Sequence, residues 1–150
     1  MEDENITYCC QIKNIYVERN EIMAREKNFE NRIKIFLQSL GIYPLGTPVQ
    51  KMKVQPIGYY EKRWGSKMTK KGLPDLHVVV NTTSLEFELK APDGRASELQ
   101  KKNIEQINRS KCLAAVAYEH KEDIPDDGFK YYISYEQLKD TVMYYASQSQ

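Results

Sequence analysis

Residues 73 to 91 constrain this chain more than any other stretch. "LPDLHVVV" is an apolar, β-branched run, "NTTS" has a turn composition, and "SLEFELKA" alternates apolar and charged residues. Two strand patterns joined by so short a link predict an antiparallel hairpin. With Asn81 and Thr82 as the loop, Val80 faces Thr83, His77 faces Glu86 and Asp75 faces Glu88. Directly opposed residues of such a pair send their side chains to one face, about 5 Å apart at Cβ. In the second strand Leu85, Phe87 and Leu89 take one face, while Glu86, Glu88 and Lys90 take the other. The charged face is either a wet surface or a site that uses its charge.

The flanking segments place the hairpin in a fold. "SELQKKNIEQINRSK" predicts a helix opened by a Ser97/Gln100 capping box, with Gln100, Ile104 and Ile107 on one stripe. "CLAAVAYE" is a buried-type strand, "KYYIS" a short one, and "YEQLKDTVMYYA" a closing helix with Leu138, Val142 and Tyr145 in line. Upstream, Phe29, Ile33, Phe36, Leu37 and Leu40 form a helix stripe that Gly41 ends, and this helix could start as early as Asn14 or Asn20. Between Ile42 and Tyr60, one or two short strands are expected to run into a basic loop. Strand–helix–strand over 85–118 predicts a parallel pair, so the fold class is α/β with a mixed sheet flanked by helices.

A chain of 150 residues suits one domain, with residues 1–25 as an N-terminal extension of possible helical form. Neither a membrane-length apolar run nor a secretory leader is visible, so a cytoplasmic protein is expected. Three cysteines, Cys9, Cys10 and Cys112, make no disulfide framework and no C-x-x-C pair, so structural zinc is not expected. The net charge of +1 hides an uneven distribution: residues 51–71 hold seven Lys/Arg against one Glu. With Tyr59, Tyr60 and Trp64 among them, this stretch suits contact with nucleic acid. Lys62, Arg63, Trp64, Lys67, Lys70, Lys71 and, further on, Arg95 are the candidate contacts; a solvated loop is the plainer alternative.

Asp75 and Glu88 on one face would repel each other, and burying them together is costly. A hard cation such as Mg²⁺ between them removes the conflict, with both carboxylates as oxygen ligands. Lys90, on the same face, can partner the anions, hold a phosphate or position a water.

Pro74-Asp75, twelve intervening residues, then Glu88-Leu89-Lys90 resembles the PD-(D/E)XK nuclease signature. The wider stretch "KGLPDLHVVV…LEFELKAPDGRASELQ" resembles the VRR-NUC family, through Gly72, Pro74, Asp75, Glu88, Lys90, Gly94, Arg95, Ser97 and Gln100. The resemblance covers about residues 28 to 118. It implies a restriction-endonuclease-like fold and a metal-dependent DNA endonuclease, with Mg²⁺ or Mn²⁺ held by Asp75, Glu88 and the carbonyl of Leu89. It also implies that Lys90 serves the water or the phosphate, that Gln100 stands at the site edge, and that a helix carboxylate, Glu30 before Glu26, completes the set. Structure-selective cutting of branched or junction DNA is implied too, as is a phage or prophage origin; two symmetric cuts by so small a chain would require a homodimer. Ser110-Lys111 departs from the pattern, where many relatives have Gly.

Each residue also has a plainer explanation. The capping box alone accounts for Gln100, and His77 suits an ordinary hydrogen-bonded strand position. Glu86 matches no position of the family. The rival to a nuclease is a DNA- or protein-binding phage factor, anti-defence or packaging, on a nuclease-like scaffold.

Overall fold

The computed structural model describes residues 3–64 and 70–148, the backbone alone over 3–17. Helix α1 (Asp3–Ser39) leads into strand β1 (Ile42–Pro44), a 3-10 turn at Val49–Lys51 and strand β2 (Gly58–Lys62). Strands β3 (Leu76–Val80) and β4 (Thr83–Lys90), helix α2 (Glu98–Arg109), strand β5 (Leu113–Tyr118), strand β6 (Tyr132–Ser134) and helix α3 (Tyr135–Ala146) follow. The six strands form one mixed sheet in chain order, antiparallel for β2/β3 and β3/β4 and parallel for β1/β2, β4/β5 and β5/β6. The fold is therefore α/β, with helices on both faces of a central sheet. Among the described residues no helix is long and apolar enough to cross a membrane.

The β3–β4 hairpin has the register expected from the sequence: Val80 faces Thr83, and His77 faces Glu86. Asn81 and Thr82 take φ of 44° and 70°, the double left-handed geometry of a tight hairpin turn. The Asn81 amide also donates to the carbonyls of Tyr145 and Ala146, satisfying the last turn of α3.

Leu85, Phe87 and Leu89 are buried with Phe29, Ile33 and Leu37 of α1 and Leu138 and Val142 of α3. The opposite face packs Ala114, Val116 and Tyr118 of β5 against Ile104 of α2. Since Glu86, Glu88 and Lys90 align with Ala114, Val116 and Tyr118, the charged face of β4 is the α2 face.

Two expectations need correction. Helix α1 starts at Asp3, well before Asn14. No Gly or Pro interrupts residues 1–40, so nothing stops the helix until Gly41. At Gly41 φ is +90°, and a Cβ would lie 2.1 Å from the carbonyl oxygen of Gln55. The two short strands expected between Ile42 and Tyr60 are present as β1 and β2, but the role given to Tyr60 changes. Strand β2 takes residues 58–62, and its alternation buries Tyr60 in the core, with its hydroxyl accepting from Gln38. Tyr60 cannot stack on a base.

Both inward helices after the hairpin start from capping boxes: Ser97 with Gln100, as the sequence indicated, and Ser134 with Gln137, which follows the same S-x-x-Q spacing. Lys111 adopts φ +61°, a left-handed conformation that Gly adopts without strain. Lys111→Gly is expected to stabilise the protein by about 1 kcal/mol, read as a higher urea midpoint at unchanged slope. A lower midpoint would show that the Lys111 backbone is not strained.

Candidate active site

The end of the sheet where β2 stops, β3 starts and β4 finishes gathers most of the expected residues. Asp75 immediately precedes β3, and its Oδ2 accepts the backbone N–H of Leu89 at 3.2 Å. A strand residue points its N–H and C=O to the same side, so the Leu89 carbonyl faces the same edge. Glu88 is 2% exposed, and its Oε1 receives Lys90 Nζ at 2.9 Å and Gln100 Nε2 at 2.5 Å. Its other oxygen, Oε2, is buried and has no hydrogen-bond partner. Burial, and after it the charge of Asp75, raises the pKa of Glu88 above the usual carboxylate value, while Lys90 and Lys62 pull against them.

Gln100 performs both functions that the sequence set against each other. Its Oε1 accepts the N–H of Ser97 in the capping box, and its Nε2 reaches Glu88. Gly72 supports the same corner from below: its carbonyl accepts from Asn103 of α2 at 2.8 Å, and a Cβ there would collide with Leu99 and Asn103. Tyr118, level with Lys90, donates to the carbonyl of Gly94 and so ties down the turn before α2.

Helix α1 supplies two carboxylates. Glu30 is bound by Lys34 at 2.6 Å and by Lys62 at 3.2 Å; Lys62 Nζ in turn lies 3.9 Å from Asp75 Oδ2. Burial pushes Glu30 up, but the two lysines outweigh it and hold its pKa below the usual value. Glu26 behaves oppositely. Burial and the charge of Asp75 raise it, against Lys90 and Lys62. The structure thus brings both to the site, with Glu30 separated from Asp75 by a lysine and Glu26 facing it electrostatically. Glu26, Glu30, Lys62, Trp64 and Asp75 line a cleft of about 370 Å³.

Glu86 is the residue that sequence reasoning left without a role. It is 8% exposed, and Arg63 grips it with two bonds of 2.5 and 3.0 Å while His77 Nδ1 lies 2.6 Å from it. The same Arg63 donates its guanidinium to the carbonyl of Pro74 and its backbone N–H to that of Asp75. Glu86 therefore anchors the Pro74–Asp75 corner through Arg63. The signal available in sequence was the His77–Glu86 pairing of the hairpin, which left Arg63 out.

Among the other expected contacts, Trp64 is 68% exposed and its ring centre lies 6.0 Å from Lys62 Nζ. Lys70, Lys71 and Arg95 are exposed, while Lys67 lies outside the described residues. Arg63 is committed to Glu86 and Pro74.

Whether the residues present suit a divalent cation can be tested on the charges. Glu26, Glu30, Asp75 and Glu88 stand among the ammonium groups of Lys27, Lys34, Lys62 and Lys90, so these side chains balance in charge when all are ionised, and the case for a cation rests on the oxygen donors. No three His, Cys, Asp or Glu side chains among the described residues converge as a metal cluster. The set of oxygens on hand is the carboxylates of Asp75 and Glu88 and, at the same edge, the Leu89 carbonyl. With the unpartnered Oε2 of Glu88, it fits a hard, oxygen-seeking ion that keeps its remaining ligands as water.

Comparison with known proteins finds no matching family model, and no significant match among curated proteins or solved structures.

Because the folded-state pKa of Glu88 is raised, its protonated form favours folding. That contribution is complete below about pH 4 and is lost as pH rises through the raised value. In chelator, Glu88→Gln is expected to be more stable than the parent at neutral pH and to lose this advantage in acid. Urea titrations at the two pH values measure it; equal stability at neutral pH would mean that the buried charge carries no penalty.

Proposed function

We propose that this chain is a metal-dependent deoxyribonuclease of restriction-endonuclease-like fold, hydrolysing phosphodiester bonds in branched or junction DNA. The observation that supports this best is the buried Glu88 beside Asp75, bound by Lys90 and Gln100 on one oxygen and unpartnered on the other. A simple surface salt bridge would not be buried, nor would it leave an oxygen without a donor.

Asp75, Glu88 and the Leu89 carbonyl are the groups that would hold Mg²⁺ or Mn²⁺. Such an ion, when bound, supplies Lewis acidity and lowers the pKa of a bound water. Lys90 brings a fixed positive charge to the reacting phosphate, where negative charge grows in the transition state. Gln100 fixes the Glu88 carboxylate. Arg63 and Glu86 hold the backbone that carries Asp75. Glu30 is paired with Lys34 and Lys62, and Glu26 lines the same cleft as Asp75.

Supercoiled, linear, single-stranded and four-way-junction DNA, each with Mg²⁺, Mn²⁺ or chelator, test the reading. Cutting is expected with either ion and not with chelator, and Asp75→Ala and Lys90→Ala should each slow it at least about a hundredfold. Absence of cutting with both ions, or full activity of Asp75→Ala, would overturn it. DNA binding without cutting would favour the binding-factor alternative.

The exposed lysines give a separate expectation. Lys70→Gln and Lys71→Gln should each flatten the dependence of log affinity on log salt by about one unit, since each phosphate contact releases about one counterion. Affinities measured across a salt series report it; an unchanged slope would make both lysines merely solvated.

A further inference from the structure

Lys62 is the last residue of β2 and pairs in register with Leu76, the neighbour of Asp75. Tyr60, two residues earlier on the same face, is buried with Phe29 and Ile33 of α1, so Lys62 also reaches toward α1. Its ammonium lies 3.2 Å from Glu30 Oε2 and 3.9 Å from Asp75 Oδ2, and 13% of its side chain is exposed. Its charge also pulls down the pKa values of Glu26 and Glu88, against the burial that raises them. One ammonium thus acts on all four carboxylates of the site. A bound cation would have the same electrostatic role.

The four carboxylates are already balanced by lysines. A divalent ion on Asp75 would leave positive charge in excess and would stand within a few ångström of Lys62 Nζ. Like charges that close repel, so ion and ammonium disfavour each other there. Lys90 is placed differently: it bonds Oε1 of Glu88, while the oxygen free for an ion is Oε2. Lys62 also has a second position within reach. It lines two clefts, one of about 370 Å³ with Glu26, Glu30 and Asp75, the other of about 260 Å³ with Lys34, Pro44 and Leu45. We propose that Lys62 is a displaceable internal cation, which neutralises Asp75 and Glu30 until a divalent ion binds and then swings its ammonium from the first cleft to the second. This deepens the nuclease reading and rests on it for the ion. The device keeps the carboxylates from repelling one another before the ion arrives, and it lowers the affinity with which the ion is held.

Reductive methylation of lysine amines, read by mass spectrometry, follows the ammonium directly. In the parent protein Lys62 is expected to react several-fold faster in Mg²⁺ than in chelator, with the rate at Lys34 unchanged. Calorimetric titration with Mn²⁺, without DNA, gives a second readout. Lys62→Met keeps the apolar stem and removes the charge; it should bind Mn²⁺ at least about tenfold more tightly, the usual effect of a charge this close to a carboxylate. Lys34→Met removes an equal charge that Glu30 holds at 2.6 Å, and should change the affinity less than about twofold. Equal gains in both variants would indicate a general field and not a displaced group, and would overturn the proposal. So would Lys62 reactivity that ignores Mg²⁺, a Lys62→Met affinity like the parent's, or no Mn²⁺ binding by parent and variant alike. The nuclease reading stands or falls separately, on whether DNA is cut in Mg²⁺ or Mn²⁺.

Discussion

Everything at the candidate site depends on the two-residue turn at Asn81 and Thr82. It sets the register of β3 against β4, and a slip of one residue would turn every β4 side chain to the opposite face. Leu85, Phe87 and Leu89 would leave the core they share with α1 and α3, and Glu86, Glu88 and Lys90 would enter it. Each large apolar side chain contributes about 1.5–3 kcal/mol on burial, and each buried charge would add a further penalty. The apolar face thus fixes where the charged face must point. The turn is itself pinned to α3 through the Asn81 amide.

Glu86 and Glu88 show what distinguishes an anchor from a site. They sit two residues apart on one strand, share a face and are both buried. Glu86 is bound on both oxygens, by Arg63 and His77. Glu88 receives Lys90 and Gln100 on one oxygen and nothing on the other. A satisfied buried carboxylate locks neighbouring groups; a half-satisfied one stores unfavourable charge that a ligand can relieve. The two arrangements are joined, because the Arg63 held by Glu86 also holds the backbone at Pro74 and Asp75. Strain at Glu88 is tolerable beside a corner that is otherwise well tied.

The parts of this arrangement legible in the sequence were those governed by local rules. A period of two, a short turn and a capping box determined the hairpin register, the faces of β4 and the start of α2. Contacts between segments distant in sequence were not legible. Arg63 counted as one more cation in a basic run, and nothing local indicated that it would turn inward to Glu86, 23 residues away. Tyr60 looked like a ring among charges until the alternation of β2 buried it. Glu30 and Glu26 lie one helical turn apart; the sequence puts Glu30 first, and nothing local indicates that Lys34 and Lys62 pair with it. The apolar stripe marks only the packed part of α1, whereas freedom from Gly and Pro sets how far the helix runs.

Gln100 connects the local and the distant rules in one side chain. A capping box requires the N3 side chain to fold back over the first turn of its own helix, with the oxygen aimed at the cap residue's N–H. That requirement leaves the amide nitrogen pointing outward from the helix start, and here it meets Glu88. The geometry of the helix start and that of the carboxylate therefore fix each other. If α2 began one residue later, the cap would form on a different side chain and Glu88 would lose its neutral donor, leaving Lys90 as its one partner. Such coupling explains how a short helix on one face of the sheet can hold a charged group at the strand end without a dedicated loop. It also means that substitutions at Ser97, which never touches Glu88, would act on the site through the orientation of Gln100.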